Sequence, residues 1–295
     1  MLDELLKTKE LATLPATTFK ILELLNDEKR LNIRELAELI EVDATLTAQV
    51  IKVSNSALFA SQVQNRSIMQ SIVTLGLNRI TNIVIGVSIF SQALLKSTDS
   101  HMHDMLDKYC WHTSSTAMVS KSLAKRLFLN LREFEFIGGL LHDIGKLTML
   151  QYDVDLYKKV IELIENENLK DVEAEKEIYG VNHNEVGAGI AKMWNLPKEP
   201  SDVIKYHSFI NQAPENTKQL TAVVTVANYL CEIWGAGFYG GYNQINFANI
   251  PEWQILTNIS NNGNTALDIE QITFELEIDF KNSVEFLNIL REVNK

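Results

Sequence analysis

The sequence is short of cysteine and has no long apolar run. Its two cysteines, Cys110 and Cys231, lack Cys-x-x-Cys spacing, which favours free, buried thiols in a reducing compartment over a disulfide framework. A membrane-spanning helix needs roughly 18 uncharged apolar residues. "IVIGVSIF" (83–90) is about half as long, so we expect a buried helix there. The segment after Met1, "LDELLKTKEL", is charged and has no apolar signal-peptide core, which predicts a cytoplasmic protein without membrane association.

Positive charge is also scarce. Lys and Arg number 27 against 38 Asp and Glu, which gives a formal net charge of −11. Because nucleic-acid binding depends largely on neutralising phosphates with Lys and Arg, this balance argues against a non-specific nucleic-acid-binding protein. Hydrophobic residues make up 46% of the chain, enough for a real core. We therefore expect a globular protein for which nucleic acid is not the partner.

Proline and glycine are the other scarce residues. Only 5 prolines and 13 glycines occur among 295 residues, and apolar residues recur mostly at three- and four-residue steps. Both features indicate helix nearly throughout, and no segment shows a convincing strand pattern or an internal repeat. The predicted fold class is therefore all-α, a bundle of many helices in one large or two modest domains.

Polar stretches mark the predicted boundaries. "KSTDSHMHD" (96–104) is the most polar gap of the first half, so we place the boundary between an N-terminal subdomain (1–100) and a C-terminal subdomain (101–295) there. A long helix is predicted over about 105–128. The Asn-rich stretch "NISNNGNTALD" (258–268) is predicted to be a loop before a final helix.

Two short N-terminal helices have the outline of a helix-turn-helix. They lie in "NIRELAELIEVDATLTAQVIKVSNSA", with Asn32 and Asp43 as the expected N-caps. A DNA-reading helix needs Arg, Lys, Asn or Gln side chains that project from it. The second helix offers Gln49, Lys52 and Asn55, but the first is acidic. We therefore favour packing within a helical domain.

Four of the six histidines occupy similar settings. His112, His142, His183 and His207 each lie on or at the end of a different predicted helix, in "YCWHTSS", "LLHDIG", "GVNHNEVGAG" and "IKYHSF". Helix bundles build metal sites in this way, with one side chain from each facing helix. In "GLLHDIGKL", Asp143 follows His142 directly. The pair could therefore supply a nitrogen and an oxygen ligand to a divalent metal such as Fe, Mn, Ni or Zn.

Structural roles are the alternative for several residues near these histidines. Asn182 and Glu185 flank His183 in the pattern of a helix cap, and His207 ends a predicted helix. Lys146 could contact a phosphate, or it could be a cation near a helix C-terminus that interacts with the helix dipole. We keep Lys146 as a candidate phosphate contact and assign no catalytic residue.

Two pairs of glycines accompany the histidines. Gly138 and Gly139 precede the His-Asp pair, and Gly187 and Gly189 follow His183. Either pair would let helix backbones approach closely beside a metal site. Simple helix packing explains them equally well.

Several segments together resemble the HDOD (HD-related output) domain family, within the HD superfamily of metal-dependent phosphohydrolases. They are "LATLPATTFKILELLND", "LTAQVIKVSNSALF", "SIMQSIVTLGLNRI", "FIGGLLHDIGKL", "YGVNHNEVGAGIAKMWNLP" and "IKYHS", in the family's order over about 11–208. The resemblance implies an HD-domain-like helical core with an N-terminal helical subdomain and a C-terminal helical extension. It also implies a role in bacterial signal transduction, in which such domains occur alone or fused to others. Because 295 residues leave no room for a conventional fused domain, we expect a stand-alone regulatory module that acts through a signalling protein partner or a small ligand such as a nucleotide.

One position departs from the catalytic pattern of the superfamily. Catalytic HD proteins complete their metal site with one more acidic residue on a later helix, in an Ala-Asp context. The matching stretch here is "VVTVANYL", which places Asn228 where the aspartate would stand, with Asp202 and Glu232 as alternatives. An amide in place of a carboxylate removes a unit charge, worth about 4 kcal/mol per charge pair at about 4 Å and an effective dielectric near 20. The resemblance and this change together predict a non-catalytic module.

A metal-dependent phosphohydrolase of a nucleotide or cyclic dinucleotide is the alternative function. His112, His142 and Asp143 would be its metal ligands, with His183 and His207 nearby. Three protein ligands would leave an open position for a water molecule that becomes hydroxide.

Overall fold

The computed structural model describes residues 1–7, 15–26, 32–56, 64–95, 100–239, 245–261 and 270–281. Within these ranges all regular structure is helical and no strand occurs, which confirms the all-α prediction. Across the same residues, none of the helices combines the length and apolar character that a bilayer crossing requires.

Fifteen α-helices follow one another in the described chain as far as residue 261. They are α1 (Leu2–Leu5), α2 (Ala16–Asn26), α3 (Ile33–Glu41), α4 (Ala44–Ser54), α5 (Ile68–Leu75), α6 (Leu77–Leu95), α7 (Ser100–Arg126), α8 (Phe134–Leu141), α9 (Ile144–Tyr152), α10 (Val154–Glu167), α11 (Asp171–Tyr179), α12 (His183–Met193), α13 (Lys198–Tyr206), α14 (Glu215–Cys231) and α15 (Pro251–Asn261). A π-helical turn (Glu232–Ala236) follows α14, and residues 270–281 are also helical.

The N-terminal helices pack against one another, α3 against α5 and α4 against α6. Asn32 and Asp43 cap α3 and α4 through their side-chain oxygens, as predicted. Gln49 is buried, and the Asn55 side chain bonds to the backbone of Asn65 at 2.7 and 2.8 Å. Two of the three side chains that a DNA-reading helix would project are thus used inside the fold, which supports the packing interpretation.

Helix α7 is the central element of the C-terminal part. It lies against α8 and α14, while α12 lies against α9 and α13. One apolar core extends from Leu5 through the N-terminal helices to Ile204, and Trp194 is among its largest fully buried side chains. Helices on both sides of the predicted subdomain boundary therefore contribute to the same core.

The predicted polar gap at 96–104 is partly wrong. Helix α7 begins at Ser100, so residues 100–104 are helical, while residues 96–99 lie outside the described chain. His103 and Asp104 are exposed on the first turns of the helix. Their polarity reflects a solvated helix face, which a count of polar residues does not distinguish from a gap.

Two predicted helix ends also differ. Helix α7 ends at Arg126, two residues before the predicted end. Helix α15 runs to Asn261, so 258–261 is helical rather than the start of an Asn-rich loop. The rest of that predicted loop lies outside the described residues. The final helix is present over 270–281, and the remainder of its predicted length is likewise outside them.

Close backbone approaches at two glycines hold the helices around the His-Asp pair. A Cβ atom at Gly145 on α9 would collide with the carbonyl oxygen of His183 and lie 2.9 Å from the Gly187 backbone nitrogen on α12. A Cβ atom at Gly139 on α8 would lie 2.7 Å from the Ala117 Cα atom on α7. Since backbone atoms cannot move aside as a side-chain end can, both positions require glycine.

We expect Gly145→Ala to lower the free energy of unfolding by about 3 kcal/mol, because the added methyl group forces α9 away from α12. Gly138→Ala is the matched control on the adjacent helix. Its Cβ atom would meet only methyl groups of Val203 and Val224 at 3.3–3.4 Å, and a gain in helix propensity of about 1 kcal/mol offsets that contact. Urea denaturation measures both; equal stabilities for the two variants would contradict the close approach at Gly145.

Candidate metal centre

Five buried side chains from different helices meet beside the His-Asp pair. His112 lies on α7, His183 begins α12 and His207 directly follows α13, while His142 and Asp143 occupy the break between α8 and α9. Each is at most 3% exposed. The four histidines that the sequence singled out are thus brought together around one aspartate.

The His112 and His142 rings face each other through their Nε2 atoms. Nδ1 of His112 lies 2.8 Å from the Ala236 carbonyl oxygen, and Nδ1 of His142 lies 2.8 Å from that of Gly139. A carbonyl oxygen only accepts, so Nδ1 carries a proton in both rings, and in the neutral form of either ring the lone pair is on Nε2. The two Nε2 atoms are 3.2 Å apart. Two lone pairs at this distance repel each other unless a cation or a proton lies between them.

Asp143 supplies the negative charge for this pair. Its Oδ2 atom lies 3.3 Å from Nε2 of His112 and 3.4 Å from Nε2 of His142. Burial lowers the pKa of His112, and the hydrogen bond to Asp143 only partly opposes that shift. An extra proton is therefore disfavoured on His112. A divalent cation would satisfy the two nitrogens and the carboxylate together.

A second set of donors shares the other oxygen of Asp143. Oδ1 lies 3.6 Å from Nε2 of His183 and 3.4 Å from Nε2 of His207, and these two nitrogens are 3.1 Å apart. Nδ1 of His207 lies 3.1 Å from the Nδ2 donor of Asn184 and 3.2 Å from the carbonyl oxygens of Val203 and Ile204. Burial lowers the pKa of His207 to about 4, so its ring is neutral at pH 7.

A buried carboxylate orients His183. Oε2 of Glu175 accepts from the backbone N–H and from Nδ1 of His183, both at 2.7 Å. Burial by itself lowers the pKa of His183, but the Glu175 charge outweighs it and raises the pKa above its usual value. Metal-ligating histidines characteristically donate their second ring N–H to a carboxylate in this way. The His183–His207 pair can therefore hold either a proton or a cation.

The two donor sets together form two adjoining candidate metal positions. His112, His142 and Asp143 form one set and Asp143, His183 and His207 the other, with the donor atoms of each set within 4.8 Å of one another. Burial would raise the pKa of Asp143, but the charges of His142 and Lys146 hold it well below its usual value. Its Oδ1 atom is buried and has no hydrogen-bond partner among the described residues. The chemistry of the donor set and this unpaired oxygen both fit a divalent cation.

Lys146 lies beside the carboxylate rather than near a helix C-terminus. It is in the first turn of α9, so the predicted interaction with a helix C-terminus is wrong. Its Nζ atom lies 2.9 Å from Asp143 Oδ2 and 2.7 Å from Asp171. Burial would lower the pKa of Lys146, but these two carboxylates raise it well above its usual value. The side chain stays charged and is held between two anions; its contact with a phosphate stays a prediction.

Asn228 lies on α14 with a buried side chain, and its Oδ1 atom has no hydrogen-bond partner within the described chain. Glu232 lies one turn later, and its buried Oε2 atom also has no hydrogen-bond partner among the described residues. Burial raises the pKa of Glu232 to about 8, while Lys146 opposes the shift and the carboxylates of Asp171 and Asp143 add to it. Glu232 therefore feels the charges of the centre. Asp202 instead pairs with Lys198 at 2.9 Å and accepts from Thr217, which argues against it as the missing carboxylate.

Sequence reasoning missed the acidic residues of helix α11. Asp171 and Glu175 are four residues apart, so they share one helix face, and both point their carboxylates at the centre through Lys146 and His183. That spacing was the available signal in "DVEAEKEIY". Two acidic residues four positions apart are common on solvent-exposed helices, so this spacing alone did not indicate a buried site. The capping pattern of Asn182 and Glu185 was predicted and is present.

Known proteins resemble this chain in sequence and in fold. The HDOD domain family model matches residues 11–210. A crystal structure of an HDOD domain protein of unknown function from Geobacter sulfurreducens is 25% identical, with a TM-score of 0.74 over 96% of this chain and 92% of that one. A candidate phosphohydrolase from Shewanella amazonensis SB2B is 23% identical, with a TM-score of 0.72 over 97% of this chain and 98% of that one, and shows the shared fold.

An uncharacterised protein from Treponema pallidum (strain Nichols) is 26% identical over 219 residues. The match covers 73% of this chain but 41% of the relative, so the chain spans less than half of that protein's length. The family match, in contrast, covers about two thirds of the present chain and includes all five side chains of the centre. The chain therefore belongs to the HDOD domain family.

Proposed function

We propose that the protein is a non-catalytic regulatory module of bacterial signal transduction that acts by binding a partner protein or a small ligand. The observation that carries the proposal is the burial of the centre: its five donor side chains are each at most 3% exposed. A phosphohydrolase must bring a phosphate ester to an open coordination position. Such burial favours a structural centre that holds helices together over a catalytic centre that hydrolyses a nucleotide.

The expected role of a cation in the centre is structural. His112, His142 and Asp143 would hold one divalent ion of Fe, Mn, Ni or Zn, and Asp143, His183 and His207 would hold a second. Such an ion can also polarise a phosphate oxygen or lower the pKa of a coordinated water. Since the donors come from α7, the α8–α9 break, α12 and α13, their binding energy would fix these helices relative to one another.

A metal-dependent phosphohydrolase acting on a nucleotide or cyclic dinucleotide is the second candidate. Two donor sets that share Asp143 favour it, because two neighbouring metal ions are a common arrangement in phosphoryl-transfer sites. Two features weigh against it. Asn228 is expected to stand in place of the aspartate, and Lys146 is ion-paired with Asp143 and Asp171, so a contact with a substrate phosphate would have to break these pairs.

We expect protein purified without added metal to retain a divalent cation, and His142→Ala to lose it, because the variant removes one of the facing nitrogens. A cation at about 100 times its dissociation constant stabilises the wild type by about 2.7 kcal/mol, a shift that His142→Ala should lack. Elemental analysis and thermal denaturation with and without chelator measure both effects. His103→Ala, an exposed histidine on α7, is the control and should behave like wild type. Metal-free wild type that is indifferent to added metal would overturn the structural role.

Glu175→Gln should weaken metal binding about 10- to 100-fold while the chain stays folded, because an amide cannot supply the charge that orients and polarises His183. Glu177→Gln, an exposed residue on the same helix, is the matched control and should bind as wild type does. Titration with Mn²⁺ or Zn²⁺ measures the affinities. Equal affinities for the two variants would show that Glu175 serves only to cap the backbone of His183.

Asn228→Asp should raise divalent-metal affinity by at least about tenfold, since a unit charge close to the ion is worth about 4 kcal/mol before desolvation.

Phosphodiesterase activity against a cyclic dinucleotide should be absent from the wild type. Metal-dependent turnover by wild type that is abolished in His142→Ala would favour the second candidate function. Unchanged affinity in Asn228→Asp would show that residue 228 does not face the ion, and Glu232→Gln would then test the neighbouring carboxylate.

A further inference from the structure

A cavity of about 250 Å³ lies between the N-terminal helices and the C-terminal part of the chain. Helices α2 and α6 form one side of it, while α8, α13 and the connections that precede these two helices form the other. None of the described side chains in its wall belongs to the candidate metal centre. Most of them are leucine, isoleucine, phenylalanine or proline, so the cavity favours an apolar occupant.

The buried part of the wall is uncharged. Arg132 is the one charged residue among the described lining residues, and its side chain is exposed, with the guanidinium carbon 5.5 Å from the centre of the Phe134 ring. An ionised group that enters an uncharged, largely apolar site loses its hydration without gaining a counter-charge. The occupant is therefore expected to be neutral.

Asn82 gives the wall a buried hydrogen-bond acceptor. Its side chain is only 6% exposed and lines the cavity from α6. Nδ2 donates to the Glu133 carbonyl oxygen at 2.9 Å. Because a carbonyl oxygen only accepts, this bond fixes which way the amide is turned, and no described residue donates to Oδ1. A buried acceptor without a donor is unfavourable, and an occupant with an N–H or O–H group relieves it.

The connection before α8 holds Asn82 in this orientation. Arg132 and Glu133 have left-handed backbones, with φ angles of 59° and 65°, and such backbones persist where surrounding contacts impose them. The Glu133 carboxylate pairs with Nε of Arg79 at 2.9 Å, and Asn78 Nδ2 lies 3.4 Å from the Arg132 carbonyl oxygen. The acceptor is therefore in place before a ligand binds, which lowers the entropic cost of binding.

The volume sets the size of the occupant. An apolar cavity of about 150 Å³ accommodates benzene, which has about six non-hydrogen atoms. By the same ratio, about 250 Å³ suits a molecule of roughly ten non-hydrogen atoms. A nucleotide or a cyclic dinucleotide is too large for it.

We propose that this cavity binds a small, neutral and largely apolar molecule that donates one hydrogen bond to Oδ1 of Asn82. The inference rests on the proposed regulatory function for its biological role, since it names the class of small ligand. Ile137 on α8 and Pro200 on α13 line the cavity, and His142 and His207 directly follow these two helices. A ligand that changes the packing of α8 and α13 would therefore act on the same helices that position the metal centre.

Indole is the probe, because it is a neutral molecule of this size with a single N–H donor. Benzofuran is its counterpart, with the same ring size and an oxygen atom in place of the N–H group. Calorimetric titration of the full chain should show saturable one-to-one binding of indole. Its affinity should be about fivefold higher than that of benzofuran, because the two ligands differ by one hydrogen bond.

Asn82→Leu keeps the size of the side chain and removes the acceptor, so indole should lose its advantage over benzofuran. Asn78→Leu is the matched control, because Asn78 also lines the cavity and donates to the same connection, but its side chain is exposed. Water can satisfy an exposed amide, so indole should still bind about fivefold more tightly than benzofuran in this variant. Loss of the preference in both variants would assign it to the connection and overturn the role of Asn82.

Leu77→Trp, at a half-buried position of the wall, should obstruct the cavity and weaken both ligands at least about tenfold while far-UV circular dichroism stays unchanged. Three results would overturn the proposal: no saturable indole binding to wild type, equal wild-type affinities for indole and benzofuran, or wild-type indole affinity in folded Leu77→Trp. Binding is measured without a partner protein, so the outcomes separate. Indole binding in a protein that turns over phosphate esters would sustain the cavity and overturn the regulatory function.

Discussion

The structure depends on the close approach of two buried histidine rings beside one carboxylate. His112 and His142 have Nδ1 committed to carbonyl oxygens, so their Nε2 atoms face each other at 3.2 Å beside the Asp143 carboxylate. In the neutral rings both Nε2 atoms carry a lone pair, and the two lone pairs repel each other. Burial disfavours a proton on His112. A cation between these atoms converts the repulsion into a set of favourable contacts, and it would link α7 to the break between α8 and α9. The candidate centre is therefore best understood as a connection between helices.

Other residues position the donor atoms of the same candidate centre. Gly145 lets α9 approach the start of α12, which brings His183 to the carboxylate of Asp143. Glu175 then orients His183 from the far side. Lys146 pairs with Oδ2 of Asp143, while Oδ1 has no hydrogen-bond partner among the residues that the structure describes. The donor atoms are of the kinds that bind divalent cations, and their burial is the observation on which the proposed regulatory function rests.

Much of the fold was predictable because helical periodicity and caps are local signals. The four histidines could be grouped because each stood in an apolar setting on a separate helix. Contributions that depend on tertiary packing were not predictable: Glu175 and Asp171 resemble ordinary surface acids until α11 folds against the centre. Lys146 was misplaced because the break at His142 and Asp143 starts a new helix, which the sequence pattern does not show.

The most direct measurement of the central claim is anomalous X-ray diffraction from crystals of protein purified without added metal. A metal-specific peak between Nε2 of His112, Nε2 of His142 and Oδ2 of Asp143 is the predicted result. Data free of any anomalous peak, with the two Nε2 atoms still in direct contact at hydrogen-bond distance, would contradict it. The centre would then be held by a shared proton, and the helices around it would need no cation.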